Sequence, residues 1–255
     1  MDPNSNLNLN VNSNLNFNTL YDVYDPTVHN LCTNYSATSP CSSLRFVTRN
    51  IQTEIIVLLQ QWPVFVGCHS WLSDYEILRN MERKSVGFCI NKETTYHMVK
   101  ASDKEYAATL MGKYNMMKRF DSMSFSSLHR NTILGKTEKT ATTDVIRCMG
   151  VSTHGRKENP RMHNKILILG ILMKNINDES LVFSPRVGVT GSYNLTMNAR
   201  RSLENVCIIQ EPTIVQSMYC EWAQIMIYSE PLQWISDLPF PVMRLYNDDS
   251  MIENE

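Results

Sequence analysis

His163 and Lys165 stand two residues apart at the head of an apolar run, His163-Asn164-Lys165-Ile166-Leu167-Ile168-Leu169. Residues two apart on a strand point the same way, so an imidazole and an ammonium would face one site. Lysine brings positive charge suited to a phosphate, and histidine can act as nucleophile, acid or base. A second group is Gly191-Ser192-Tyr193-Asn194, at an expected strand-to-helix junction. Glycine lets the chain turn tightly there. Ser192 and Asn194 are capping types, and the free N–H groups of a helix start suit an oxyanion or phosphate. A third is Glu204-Asn205, opening the next strand. A carboxylate beside an imidazole orients it and raises its basicity. Each pattern alone has a plain reading: a solvated strand start, an ordinary capped turn, a surface strand end.

The elements that must position these groups follow from periodicity. Apolar residues at Ile51, Ile55, Val57, Leu58 and Leu59 predict a helix over 48–61, stopped by Pro63. Val64 to Gly67 and Val86 to Ile90 are short buried strands. Between them, 71–84 reads as a second helix with Ser73 as N-cap, Glu76 completing a capping box, and Ile77, Leu78 and Met81 inward. A helix is expected over 101–119 and a long loop over 122–143. Strands are expected over 145–151, 163–169, 186–190 and 204–209, with a polar turn at 154–161. Residues 170–185 read as a loop or hairpin, and 194–201 as a short helix. Pro212 suits the first turn of a closing helix that runs to about Tyr228. Alternating strands and helices argue for an α/β fold. The expected form is a mixed, largely parallel sheet flanked by helices. Order is expected from near Phe46. The Asn-rich residues 1–18 read as a disordered tail, 19–44 as a loose segment, and 231–255 as a Pro-containing, acidic tail.

Taken together and in this order, R-M-H-N-K-I-L-I-L, V-T-G-S-Y-N-L-T and L-E-N-V-C-I-I resemble the phospholipase D superfamily, the family of HKD motifs. The resemblance covers about residues 45–230 and is strongest over 160–210. It implies a phospholipase D-like αβα sandwich and a metal-independent phosphodiesterase that needs no cofactor. It further implies that His163 attacks phosphorus to form a phosphohistidine while a second histidine protonates the leaving oxygen. Lys165 and Asn194 would bind phosphate oxygens, Ser192 would add a hydrogen bond, and Glu204 would orient a histidine. Two positions depart from the family pattern. The Asp five residues after the motif lysine is Gly170 here, and only one H-x-K with a downstream G-S-x-N is present: His69, His97 and His129 lack a lysine two residues on. The family's way of supplying two histidines from a one-motif chain is a symmetric homodimer.

Net charge is -1, so affinity for nucleic acid would have to come from a local cluster. Arg147, Arg156, Lys157, Arg161, Lys165, Arg186, Arg200 and Arg201 surround the motifs in sequence. Among them Arg161, Arg200 and Arg201 are candidate substrate-binding residues for a DNA or RNA backbone. Tyr193 is a candidate to stack on a base, or else a buried aromatic. Seven scattered cysteines without a C-x-x-C pair weaken zinc and redox-motif readings, and no metal site is expected. An odd cysteine count without a secretory signal suits a reducing compartment, cytoplasmic or nuclear. No apolar run is long enough to span a membrane. The expected function is therefore a nuclease. Alternatives are a phospholipid-hydrolysing relative and a non-catalytic nucleic-acid-binding protein of the same fold.

Overall fold

The computed structural model describes residues 36–91, 104–118, 145–149, 162–174 and 181–232. In chain order the strands are β1 (Ala37–Thr38), β2 (Leu44–Val47), β3 (Val64–His69), β4 (Ser85–Asn91), β5 (Ile146–Met149), β6 (Lys165–Lys174), β7 (Leu181–Gly191), β8 (Val206–Ile209) and β9 (Glu230–Pro231). The helices are α1 (Ile51–Gln61), α2 (Tyr75–Met81), α3 (Lys104–Asn115) and α4 (Pro212–Tyr228), with a 3-10 turn at Ala199–Arg201. The strands form one sheet in the order β1-β2-β8-β7-β6-β3-β4-β5-β9.

The sheet is mixed, as expected, but its parallel share is smaller than the sequence suggested. Among the strand pairs of the described residues, only β3–β4 and β4–β5 are parallel. The β6, β7 and β8 strands run as an antiparallel meander, and β6 pairs antiparallel with β3. The short β6–β7 connection dictates the antiparallel pairing of those two strands, because parallel neighbours need a crossover of a dozen or more residues. Residues 170–174 and 181–185, within the stretch expected as loop or hairpin, are the paired arms of a hairpin. Strands β1 and β2 bring regular structure ahead of Phe46. The expected 122–143 loop, 154–161 turn and 1–18 tail lie outside the described residues.

Helices cover both faces. Along β3, Phe65 packs with α1, α2 and α3, in one cluster that contains Ile51, Ile55, Leu59, Ile77, Leu78 and Leu110. The alternate residues Val64, Val66 and Cys68 pack toward α4, with Val215, Tyr219, Trp222 and Met226. This period-two division is what a strand buried on both faces requires. Trp222 also donates its indole N–H to the Gly87 carbonyl at 3.2 Å, which fixes α4 on β4.

Two helical expectations change for a common reason. Helix α2 starts at Tyr75, and its N-cap is Asp74, not Ser73. The Asp74 carboxylate accepts from the N–H groups of Glu76 and Ile77. The backbone N–H groups of Ser73 and Asp74 both donate to the Leu195 carbonyl, at 2.8 and 2.9 Å. That carbonyl is the one Ala199 N–H would need for a helix from Asn194. Ala199 N–H instead bonds the Thr196 hydroxyl, and only the short 3-10 turn forms.

Candidate active site

Four strand ends meet at one edge of the sheet. Because β6 is antiparallel to β3 and β7, its N-terminus lies beside their C-termini. Lys165 opens β6 directly opposite His69, the last residue of β3. On its other side, Ile166 pairs with Thr190, so Lys165 adjoins the Gly191-Ser192 end of β7. Gly191 pairs with Val206, which brings Ser192 against Glu204-Asn205. The approach at Gly191 is close: a Cβ there would lie 2.2 Å from the Asn205 carbonyl oxygen, so only glycine fits.

His163 lies two residues before β6 and is exposed. It nonetheless shares a site with Lys165, whose Nζ is 3.4 Å from His163 Nδ1 and 3.3 Å from the His163 carbonyl oxygen. Trp71, in the loop after β3, stands edge-on to the His163 ring, with centroids 5.9 Å apart. The Ser192 hydroxyl donates to the Glu204 carboxylate and accepts the Asn205 N–H at 3.0 Å, while Ser192 N–H bonds the Asn205 carbonyl at 3.0 Å. Partial burial pulls the Lys165 ammonium below the usual lysine range, and the Glu204 charge opposes that shift. Asn194 is half-buried, and its side-chain carbonyl oxygen has no hydrogen-bond partner.

His163, Lys165, Ser192 and Glu204 therefore converge at one end of the sheet, with Asn194 two residues past Ser192. The other candidates fare differently. Tyr193 is 1% exposed and packs in the core, so the base-stacking role expected for it is corrected. The alternation of the chain turns it inward between Ser192 and Asn194. Arg200 donates through Nε to the Met197 carbonyl and approaches the buried Asp74 carboxylate at 3.8 Å, which orients it along the loop. Arg201 is exposed beside it. Arg161, Arg156 and Lys157 lie outside the described residues. Arg147 is tied to Ser229 at the end of α4, and Arg186 lies against Met173 on the hairpin, so neither belongs to a basic rim at this site.

Gly170, five residues after Lys165, lies at a bulge where a Cβ would come within 2.1 Å of the Ser184 carbonyl oxygen. Five residues of strand carry it about 17 Å from Lys165. No side chain fits there, and none would reach the site. Sequence reasoning missed three residues. Trp71 was assigned to a helix, His69 lacked the H-x-K spacing, and Asp74 was passed over for Ser73. Their common signal is position just at or after the C-terminal end of a buried strand, where α/β sites collect.

No family model matches this chain. A relative is an uncharacterized protein of Acanthamoeba polyphaga mimivirus, 26% identical over 216 residues, or 80% of this chain and 72% of that protein. Among solved structures the chain is similar to NucT from Helicobacter pylori, at a TM-score of 0.45 and 9% identity over 78% of this chain and 98% of that one. It is also similar to Nuc, a phospholipase D family member from Salmonella typhimurium, at 0.40 and 12% over 74% and 96%. A third is phosphatidylserine synthase from Haemophilus influenzae Rd KW20, at 0.33 and 16% over 72% and 38%. The functional reading below rests on this chain's own side chains.

Proposed function

We propose that this protein is a phosphodiesterase, most concretely a nuclease that cleaves DNA or RNA through a phosphohistidine on His163. Its support is the convergence of His163, Lys165, Ser192 and Glu204 where four strands end, beside a partly desolvated ammonium. In this reading the His163 Nε2 lone pair attacks phosphorus as the bond to the leaving oxygen breaks. Lys165 and Asn194 bind the non-bridging oxygens and offset charge in the transition state. A second imidazole, from His163 of a second copy of the chain, gives its proton to the leaving oxygen. It then takes a proton from the water that displaces the P–N bond, returning both histidines to their starting states. Glu204 fixes the Ser192 hydroxyl and sets the field around Lys165. Arg200 and Arg201 supply charge for the neighbouring backbone phosphates.

The test is cleavage of labelled single-stranded DNA, double-stranded DNA and RNA in EDTA, with His163→Ala alongside. Cleavage that survives chelation and vanishes in the variant is the expected outcome; equal activity in His163→Ala sinks the assignment. Light scattering checks the pairing of copies, since a fully active monomer contradicts it. A lipid phosphodiester is the second reading, favoured by Met197 and Leu203, exposed at 38% and 55% on the β7–β8 connection that also carries Ser192 and Glu204. Phosphatidylcholine vesicles in the same assay decide between them.

A further inference from the structure

Among the described residues, His69 is the one buried imidazole at this end of the sheet. It is 4% exposed, and neither ring nitrogen has a hydrogen-bond partner. Its ring stacks on Phe88 with centroids 5.9 Å apart. Burial first, and then the Lys165 charge, push it down to about 3, so the ring is neutral at ordinary pH. Burying a neutral imidazole without partners is destabilising, and a packed core has cheaper residues for that place. Its position explains what it is for. Directly opposed residues on antiparallel strands share a face with Cβ atoms about 5 Å apart, so the ring lies beside the stem of Lys165.

Lys165 has the complementary problem. An ammonium can only donate, so in the 3.4 Å contact with His163 it is Nδ1 that accepts. In a neutral ring the proton is then on Nε2, and that tautomer has no Nε2 lone pair with which to attack phosphorus. The contact must break before His163 can act. We propose that His69 is a positioning residue: its unprotonated ring nitrogen takes a hydrogen bond from Lys165 when phosphate occupies the site. Lys165 keeps its other N–H groups for the phosphate oxygens. His163, exposed to solvent, exchanges its proton to Nδ1 and presents a free Nε2. This rests on the phosphohistidine reading above.

The experiment uses the full chain with 15N-labelled histidine, titrated with inorganic phosphate and followed through the ring-nitrogen resonances. His163 and His69 resonances are both expected to move, the accepting His69 nitrogen shifting in the hydrogen-bonded direction, with the His69 response lost in Lys165→Met. Movement of His163 with His69 unmoved overturns the positioning role alone. Failure of His163 to move overturns the phosphate site, and this inference with it. In turnover, His69→Phe keeps the ring stacking on Phe88 and removes the unpartnered nitrogens, so it is expected to be at least as stable as the native chain. Its kcat is nevertheless expected to fall about 10²-fold with KM little changed, and His69→Gln, which restores an acceptor, to recover part of the loss. A purely structural role predicts native kcat in His69→Phe, and that result overturns the proposal.

Discussion

The start of β6 and its middle are built on opposite terms. At its start, Lys165 lies between His69 and the Ser192 turn, among polar groups that the fold leaves incompletely paired: the His69 nitrogens and the Asn194 side-chain oxygen. Midway along it, at the bulge, Gly170 is packed against the Ser184 carbonyl, and the hairpin arms run on to the exposed Met173, Leu181 and Val182. The first holds unused hydrogen-bonding capacity, while the second is closed against backbone and leaves no room for a side chain at Gly170. A binding site needs the first arrangement, because groups already satisfied within the protein have little to give a ligand.

The sharpest way to break this comparison is His163→Ala. Activity is expected to fall roughly 10³-fold or more, with thermal unfolding unchanged because the side chain is exposed; a parallel loss of stability would show that the start of β6 is structural after all. Lys165→Ala should cost about 10²–10³-fold in kcat, read in the same assay. The third prediction concerns pH. The folded value of His69 is depressed to about 3 against 6.5 in the unfolded chain. Below pH 6.5 the unfolded state therefore takes up a proton that the folded state refuses. Stability should fall as pH drops through this window, by up to roughly 1.4 kcal/mol per pH unit. Urea unfolding at pH 7, 6 and 5 checks the slope, which His69→Phe should flatten. At the bulge midway along β6, Gly170→Asp should destabilise by about 1–3 kcal/mol through forced overlap and bring no gain in turnover. A gain would mean that the hairpin end communicates with the site. The smallest effect is expected from Asp74→Ala, which removes the cap of α2 at about 0.5–2 kcal/mol, measured by thermal unfolding.

How much could be read in advance varied with the kind of signal. Helix α1 and the buried strands β3 and β4 were legible because apolar periodicity directly reflects burial, and α4 because Pro212 marks its first turn. The motif residues were legible because polar groups interrupt those apolar runs at fixed spacings. Val57 is one of the apolar residues whose spacing predicts α1 and yet is 42% exposed, since a single apolar residue does not declare its face. The cap of α2 and the short turn after Leu195 were misjudged together, because one tertiary interaction, the claim of Ser73 and Asp74 on the Leu195 carbonyl, decided both.

The sequence by itself singled out the residues proposed to carry chemistry, His163, Lys165, Ser192, Asn194 and Glu204, and determined that strands and helices would present them. Local spacing and residue type suffice for that. Only the tertiary structure decided that β6 runs against β3, which sets Lys165 opposite His69 and brings Trp71 to the face of the site. It also decided that Tyr193 belongs to the core and that Gly170 sits where no carboxylate fits. Strand direction and register are settled by non-local pairing and packing, which residues distant in the chain make together and no short segment encodes alone.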